Sequence, residues 1–115
     1  PKSNETETTL RKEAIENATK YATEIPFKVM ETAYHSMEVM MAMAKEGLQN
    51  SLSDAGVGAL CARTAVVGAY FNVRINAKDI KDRSFAEQIL SDAKNIYDKT
   101  NLLENEMIQL IDTKI

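Results

Sequence analysis

Two residue types that build reactive sites are nearly absent from this 115-residue sequence, which contains one cysteine and one histidine. The lone cysteine, Cys61, excludes an internal disulfide and is typical of a reducing compartment. Cys61 lies among small apolar residues, which predicts a packing thiol rather than a nucleophile. His35 follows Glu31 by four residues, a spacing that favours a surface ion pair over a catalytic role. The pattern therefore predicts neither a metal site nor a nucleophile with its base.

An excess of positive charge and an apolar leader are lacking as well. The net charge is −3 and the pI is near 5.2, which argues against a nucleic-acid partner because such proteins present a basic face. The chain begins Pro-Lys-Ser-Asn-Glu, which shows no signal peptide, so a cytoplasmic location is expected. A glycine-rich phosphate loop is missing too, since Gly56 and Gly58 follow the start of a predicted helix.

Helical periodicity, in contrast, runs along most of the chain. It predicts one amphipathic helix from Thr9 to Glu24 and a second, rich in methionine, that ends near Glu46. Pro26 either breaks the chain between these segments or kinks it, because proline disfavours the helical conformation of the residue before it. The first eight residues are expected to be a frayed tail or a loop.

Two further helices are predicted after the polar loop around Asn50. Ser53 is a suitable N-cap for the third, and the capping box Ser84-Phe85-Ala86-Glu87 opens the fourth. The predicted fold is all-α, an antiparallel up-and-down bundle of about four helices in one domain. The methionine stripe is predicted to pack in the core, with a partner-binding stripe as the alternative. Its members are Met30, Met37, Met40 and Met41.

The third helix has two distinct apolar sides. A bulky ridge is predicted to face the core and consists of Val57, Leu60, Thr64, Val67, Phe71 and Ile75. A second side is small and then polar, and consists of Asp54, Gly58, Cys61, Ala65, Gly68, Asn72 and Asn76. Because neither side is clearly suited to face solvent, the helix is expected to be enclosed by other helices. A membrane span is disfavoured because Asp54, Arg63, Asn72, Arg74 and Asn76 would be costly there.

Three short motifs carry a resemblance to a known family. They are "EIP" at Glu24 to Pro26, "SD" at Ser53-Asp54 and "GAYFNVRIN" at Gly68 to Asn76. Together they resemble the C-terminal part of the cyclodeaminase domain of the formiminotransferase-cyclodeaminase family, to which bacterial methenyltetrahydrofolate cyclohydrolases are related. The resemblance runs through essentially all 115 residues. The family's upstream half, with a segment like "PGGGS" and an aspartate to which the resemblance assigns catalysis, does not occur in this sequence.

The resemblance implies a folate reaction in which 5-formimidoyltetrahydrofolate closes to 5,10-methenyltetrahydrofolate and ammonia leaves. It implies a folate derivative as substrate and no redox or metal cofactor. It assigns substrate binding to Ser53, Asp54, Asn72 and Asn76 and leaves the catalytic residues unknown. Helix capping and helix bridging are the alternative roles for these four polar residues. Arg63, Arg74 and Lys78 are expected to be solvated rather than bound to the folate tail.

Two other functions remain open at this point. One is cyclohydrolase action on methenyltetrahydrofolate, which the same fold supports. The other is a non-catalytic helical interaction module. A partial domain of this kind is expected to expose part of its core and to associate, either with another copy as a homo-oligomer or with an upstream fragment of the same protein.

Overall fold

The computed structural model describes residues 4–47 and 49–115, and within them the chain is all-α, as predicted. Helix α1 spans Glu5–Glu46, a short 3-10 turn spans Gln49–Ser51, helix α2 spans Leu52–Ala77 and helix α3 spans Arg83–Lys114. No strand occurs in these two ranges. All three helices contact one another and form a narrow layer of 68 × 20 × 16 Å.

Pro26 does not divide the first half of the chain, so three long helices replace the predicted four. The proline lies inside the 42-residue helix α1, where it cannot supply the amide that would bond to the carbonyl of Ala22. Asn76 of α2 supplies the missing donor, because its Nδ2 lies 3.0 Å from the Ala22 carbonyl oxygen. The freed carbonyl is thus satisfied across the helix pair, and the helix continues.

The helix ends also differ from the sequence prediction. The N-cap of α1 is Asn4, whose side chain accepts from the amide of Glu7 at 2.7 Å, so helix replaces the expected tail from Glu5 onward. Residues 1–3 of that tail lie outside the described residues. Ser51, not Ser53, precedes α2. Asp82, not Ser84, caps α3 by accepting from the Phe85 amide at 3.1 Å.

The end of α1 at Glu46 agrees with the prediction, and Gly47 stops the helix as expected. A side chain at this position would run into the backbone carbonyl of Met43. Glycine is therefore required here because the chain passes close to its own last turn.

The core is built from small and flexible side chains. Met30 and Met37 of α1 are fully buried, which confirms the predicted core role of the methionine stripe for these two residues, while Met40 and Met41 are partly buried. Alanines bring the helices close together. The buried alanines are Ala44, Ala55, Ala59, Ala69, Ala77, Ala86 and Ala93.

The face of α2 that enters the core is not the predicted one. Leu52, Val66, Tyr70 and Val73 are buried together with four of those alanines, whereas five of the six ridge residues are exposed. Phe71 is 52% exposed and Ile75 is 62% exposed. The small and polar side is also largely exposed. In one chain α2 is therefore covered by α1 and α3 on one side only.

Polar side chains link the α2–α3 turn and the helix ends to the neighbouring helices. Both carboxylate oxygens of Glu16 on α1 accept from backbone amides of the α2–α3 turn, at Lys81 and Asp82, each at 2.8 Å. Lys20 forms an ion pair with Asp82 at 3.0 Å. At the other end, the ammonium of Lys114 donates to the last carbonyls of α1. These contacts fix how α2 and α3 lie on α1.

Candidate functional site

A groove between α1 and α2 contains two of the four residues predicted to bind substrate. Its volume is about 380 Å³. We call it the α1–α2 groove, and its lining consists of Ala22, Ile25, Pro26, Val29, Ala65, Ala69, Asn72 and Asn76. Short apolar side chains form most of this surface, and the two asparagines supply its polar groups. The groove can therefore hold a flat, largely apolar ring with hydrogen-bonding groups at its edge.

The two asparagines of the groove have different roles. Asn76 is partly buried and donates to the Ala22 carbonyl. Its first role is therefore structural, namely helix bridging, which was the alternative to substrate binding. Asn72 lies one helical turn earlier, is exposed, and has no hydrogen-bond partner among residues 4–47 and 49–115. Its amide is free to donate to and accept from a ligand.

Ser53 and Asp54 do not reach this groove within one chain. They lie exposed in the first turn of α2, and Asn72 lies 18 residues further along the same helix. At a rise of 1.5 Å per residue, Asp54 is about 27 Å from Asn72 along the helix axis. One copy of the chain therefore brings together Asn72 and Asn76 and leaves the other two predicted site residues apart.

The lining of the groove contains no titratable side chain. The pKa shifts occur elsewhere: backbone amides lower the pKa of Glu16, a hydrogen bond from Lys20 lowers that of Asp82, burial raises that of Tyr34, and a hydrogen bond to Asp98 raises that of Lys94. Within the described ranges, no group of three or more histidine, cysteine, aspartate or glutamate side chains is placed to hold a metal ion. The polar groups of the groove lining are therefore the side-chain amides of Asn72 and Asn76.

The remaining candidate residues lie outside the groove lining. The imidazole of His35 pairs with Glu38 at 3.4 Å rather than with Glu31, so the predicted surface pair exists with a different partner. Cys61 is exposed, which corrects the predicted packing role. Arg63 bonds to Asn101 at 3.3 Å and to Glu104 at 3.2 Å on α3, and these contacts hold two helices together.

The sequence reading missed the residues of α1 that form the other side of the groove. Ile25 lies within the proline motif, Val29 lies one helical turn later, and these residues are 48% and 44% exposed. Their exposure depends on which face of α1 meets α2, and that is a property of the folded pair. The proline itself was the available signal, since its missing amide calls for a donor from a neighbouring element.

Helix α2 also meets the length and composition expected of a membrane span. The segment Gln49–Ala77 is apolar enough to cross a bilayer, a property shared by core helices of other proteins, and 28% of its apolar window is buried. Asp54, Arg63 and Arg74 interrupt it. Most of the apolar surface of this helix is therefore uncovered in one chain.

Known proteins are similar in sequence to this chain over most of its length. A sequence profile described as formiminotransferase-cyclodeaminase matches residues 1–95. A methenyltetrahydrofolate cyclohydrolase from Methylorubrum extorquens is 30% identical over 115 residues, 100% of this chain and 55% of that protein. Formimidoyltransferase-cyclodeaminases from Rattus norvegicus and Gallus gallus are 36% and 38% identical over 76% and 74% of this chain, and each match covers 16% of the relative. The chain spans about half the length of the cyclohydrolase and a smaller share of the other two.

Proposed function

Because the chain belongs to the formiminotransferase-cyclodeaminase family, we propose that it forms the folate-binding part of an enzyme that closes 5-formimidoyltetrahydrofolate to 5,10-methenyltetrahydrofolate with release of ammonia. The observation that supports this proposal is the lining of the α1–α2 groove. Its alanine and proline surface suits the face of a pterin ring, and the free amide of Asn72 suits the donors and acceptors along the edge of that ring.

The groove contributes to this reaction by holding the folate in one geometry. In the ring closure, an amine nitrogen of the folate attacks the amidine carbon, and the bond from that carbon to the departing ammonia breaks after the nitrogen is protonated. Holding the attacking nitrogen close to the carbon lowers the barrier, because the entropy cost of orienting the two groups is met when the folate binds. The acid that protonates the leaving nitrogen has to come from outside the groove lining. The reaction needs neither a redox nor a metal cofactor.

A second candidate is hydrolysis of methenyltetrahydrofolate. It is favoured by the relative named methenyltetrahydrofolate cyclohydrolase, whose match extends over all 115 residues. The same groove would then hold methenyltetrahydrofolate while water adds to the bridging carbon. One of the two bonds from that carbon to nitrogen breaks, the freed nitrogen takes up a proton from the water, and the carbon stays on the other nitrogen as a formyl group. Methenyltetrahydrofolate is the product of the first candidate reaction and the substrate of the second, and only the first releases ammonia.

Folate binding is tested first with a stable tetrahydrofolate derivative, 5-formyltetrahydrofolate, by isothermal titration calorimetry. Asn72→Leu keeps the size of the side chain and removes both hydrogen-bonding groups, and the matched control is Asn95→Leu on the exposed surface of α3. We expect Asn72→Leu to weaken binding at least tenfold with an unchanged Tm, and Asn95→Leu to change neither. Absence of binding to the unsubstituted chain, or equal affinity in the two variants, contradicts the proposal and favours an interaction module.

The reaction is then assigned by supplying each substrate separately. Release of ammonia from 5-formimidoyltetrahydrofolate supports the cyclodeaminase. Conversion of methenyltetrahydrofolate without ammonia release supports the cyclohydrolase. The Asn72→Leu variant is expected to lose whichever activity the chain has.

A further inference from the structure

We propose that a depression on α1, next to the α1–α2 groove, binds the acidic tail of the folate and that Lys28 recognises a carboxylate of that tail. We call it the tail depression, and its volume is about 500 Å³. Ile25 and Val29 line both the tail depression and the α1–α2 groove, so the two surfaces are continuous. This proposal rests on the proposed function, because it concerns a second contact of the same ligand.

A reduced folate extends well beyond its pterin ring. The ring is joined through a p-aminobenzoyl ring to a glutamate, whose two carboxylates are charged at neutral pH. The α1–α2 groove has a volume of about 380 Å³ and no titratable side chain in its lining. It suits the uncharged pterin ring and provides no cation for the tail. A folate that lies in the groove therefore needs a neighbouring surface for its second ring and its carboxylates.

The tail depression supplies the groups that such a tail requires. Tyr21 lies one helical turn before Ile25 and is 65% exposed, so its ring is open to contact with a second aromatic ring. Lys28 lies in the same lining, is exposed, and has no ion-pair partner within residues 4–47 and 49–115. Its ammonium can donate to a carboxylate. The tail depression thus combines an aromatic surface with a free cation.

The position of Lys28 distinguishes it from the other cations of α1 and α2. Of the described residues that line the two surfaces, Lys28 is the only cation. Lys20, two turns earlier on α1, forms an ion pair with Asp82 at 3.0 Å. The guanidinium of Arg74 on α2 lies over the ring of Tyr70, 5.3 Å from its centroid. Lys28 is therefore the cation that a carboxylate on a folate in the groove meets.

Glu24 opposes the effect of Lys28 on a charged tail. It lies one helical turn before Lys28 in the lining of the tail depression and is exposed. Its carboxylate repels a carboxylate of the ligand, whereas the ammonium of Lys28 attracts it. Because both side chains are exposed, each effect is expected to change the affinity only about two- to fivefold. Neither effect acts on a tail without charge.

Two forms of one ligand test the role of charge by isothermal titration calorimetry. They are 5-formyltetrahydrofolate and its dimethyl ester, which keeps both rings and the length of the tail and removes both charges. Lys28→Met is expected to weaken binding of the acid about two- to fivefold and to leave binding of the ester unchanged. Glu24→Gln is expected to strengthen binding of the acid by a similar factor, again without an effect on the ester. Both effects are expected to shrink at high ionic strength.

Three further variants serve as controls. Lys28→Arg keeps the positive charge and is expected to keep the affinity for the acid. Lys99→Met, on the exposed surface of α3, removes a lysine outside both linings and is expected to change neither affinity. Tyr21→Ala removes the ring contact and is expected to weaken binding of the acid and of the ester by the same factor. Circular dichroism checks that each variant keeps its helical content.

Affinity labelling tests the location of the tail directly. The reagent is 5-formyltetrahydrofolate with one tail carboxyl converted to a succinimidyl ester. The uncharged amino group of a nearby lysine attacks the ester carbonyl, an amide bond forms, and N-hydroxysuccinimide leaves with the electron pair of the broken bond. Peptide mass spectrometry is expected to find the label chiefly on Lys28, and an excess of unmodified 5-formyltetrahydrofolate is expected to prevent the labelling.

The outcomes separate this proposal from the preceding one. A ratio of acid affinity to ester affinity that Lys28→Met leaves unchanged overturns the tail depression, and so does a label that is spread over many lysines in spite of competing ligand. If Asn72→Leu still weakens binding of both ligands in that case, the proposed function stands without the tail contact. A chain that binds neither the acid nor the ester overturns both proposals.

Discussion

Asn76 and Pro26 lie on different helices, yet a single carbonyl group connects them. Proline leaves the Ala22 oxygen without its usual donor, and the Asn76 amide bonds to it at 3.0 Å. A carbonyl that loses its donor gives up the net free energy of one hydrogen bond, even where water can replace the donor. The proline of "EIP" and the last asparagine of "GAYFNVRIN" therefore act on the same backbone carbonyl, although the two motifs lie far apart along the chain.

A double-mutant cycle tests this coupling. Asn76→Ala is expected to lower the free energy of unfolding by about 0.5 to 1.5 kcal/mol, because the Ala22 carbonyl loses its donor. In a Pro26→Ala background the restored backbone amide takes over the carbonyl, so the same substitution is expected to cost less than half as much. Urea unfolding of the four proteins measures both costs. Equal costs in the two backgrounds would show that the residues act independently.

Glu16 gives the fold a dependence on pH. Two backbone amides lower its pKa in the folded state below the ordinary value of 4.5, so its contribution to stability is present above pH 4.5 and is lost as the pH falls through the lowered pKa. Glu16→Gln is therefore expected to be less stable than the unsubstituted chain at pH 7, with a difference that shrinks toward pH 3. Glu13→Gln, an exposed neighbour one turn earlier, is the control. A difference that is constant with pH contradicts this role.

The start of α3 distinguishes the observed cap from the predicted one. Asp82 accepts from the Phe85 amide and pairs with Lys20, whereas Ser84 lies exposed inside the first turn. We expect Asp82→Ala to lower the free energy of unfolding by about 1 to 2 kcal/mol and Ser84→Ala by a few tenths. Asp82→Asn keeps the cap and loses the ion pair, so an intermediate value is expected. A larger loss in Ser84→Ala, measured by thermal unfolding, would restore the sequence interpretation.

Local patterns predicted the helices well and their faces poorly. The all-α class and the end of α1 at Glu46 follow from periodicity and a glycine stop. The face of α2 could not be predicted in the same way, because this helix is apolar on nearly every side and periodicity cannot choose between several apolar faces. The burial of Val66 and the exposure of Phe71 are decided by where α1 and α3 lie. The continuity of α1 through Pro26 likewise depends on a donor from α2.

For the candidate site, the sequence named four candidate residues and could not place them. Asn72 and Asn76 share the α1–α2 groove, while Ser53 and Asp54 lie at the opposite end of a 26-residue helix. Residues at the two ends of one straight helix cannot meet within a chain. The sequence pattern gives the spacing of these residues along the chain and does not give their distance from the groove, which depends on how α1 lies on α2.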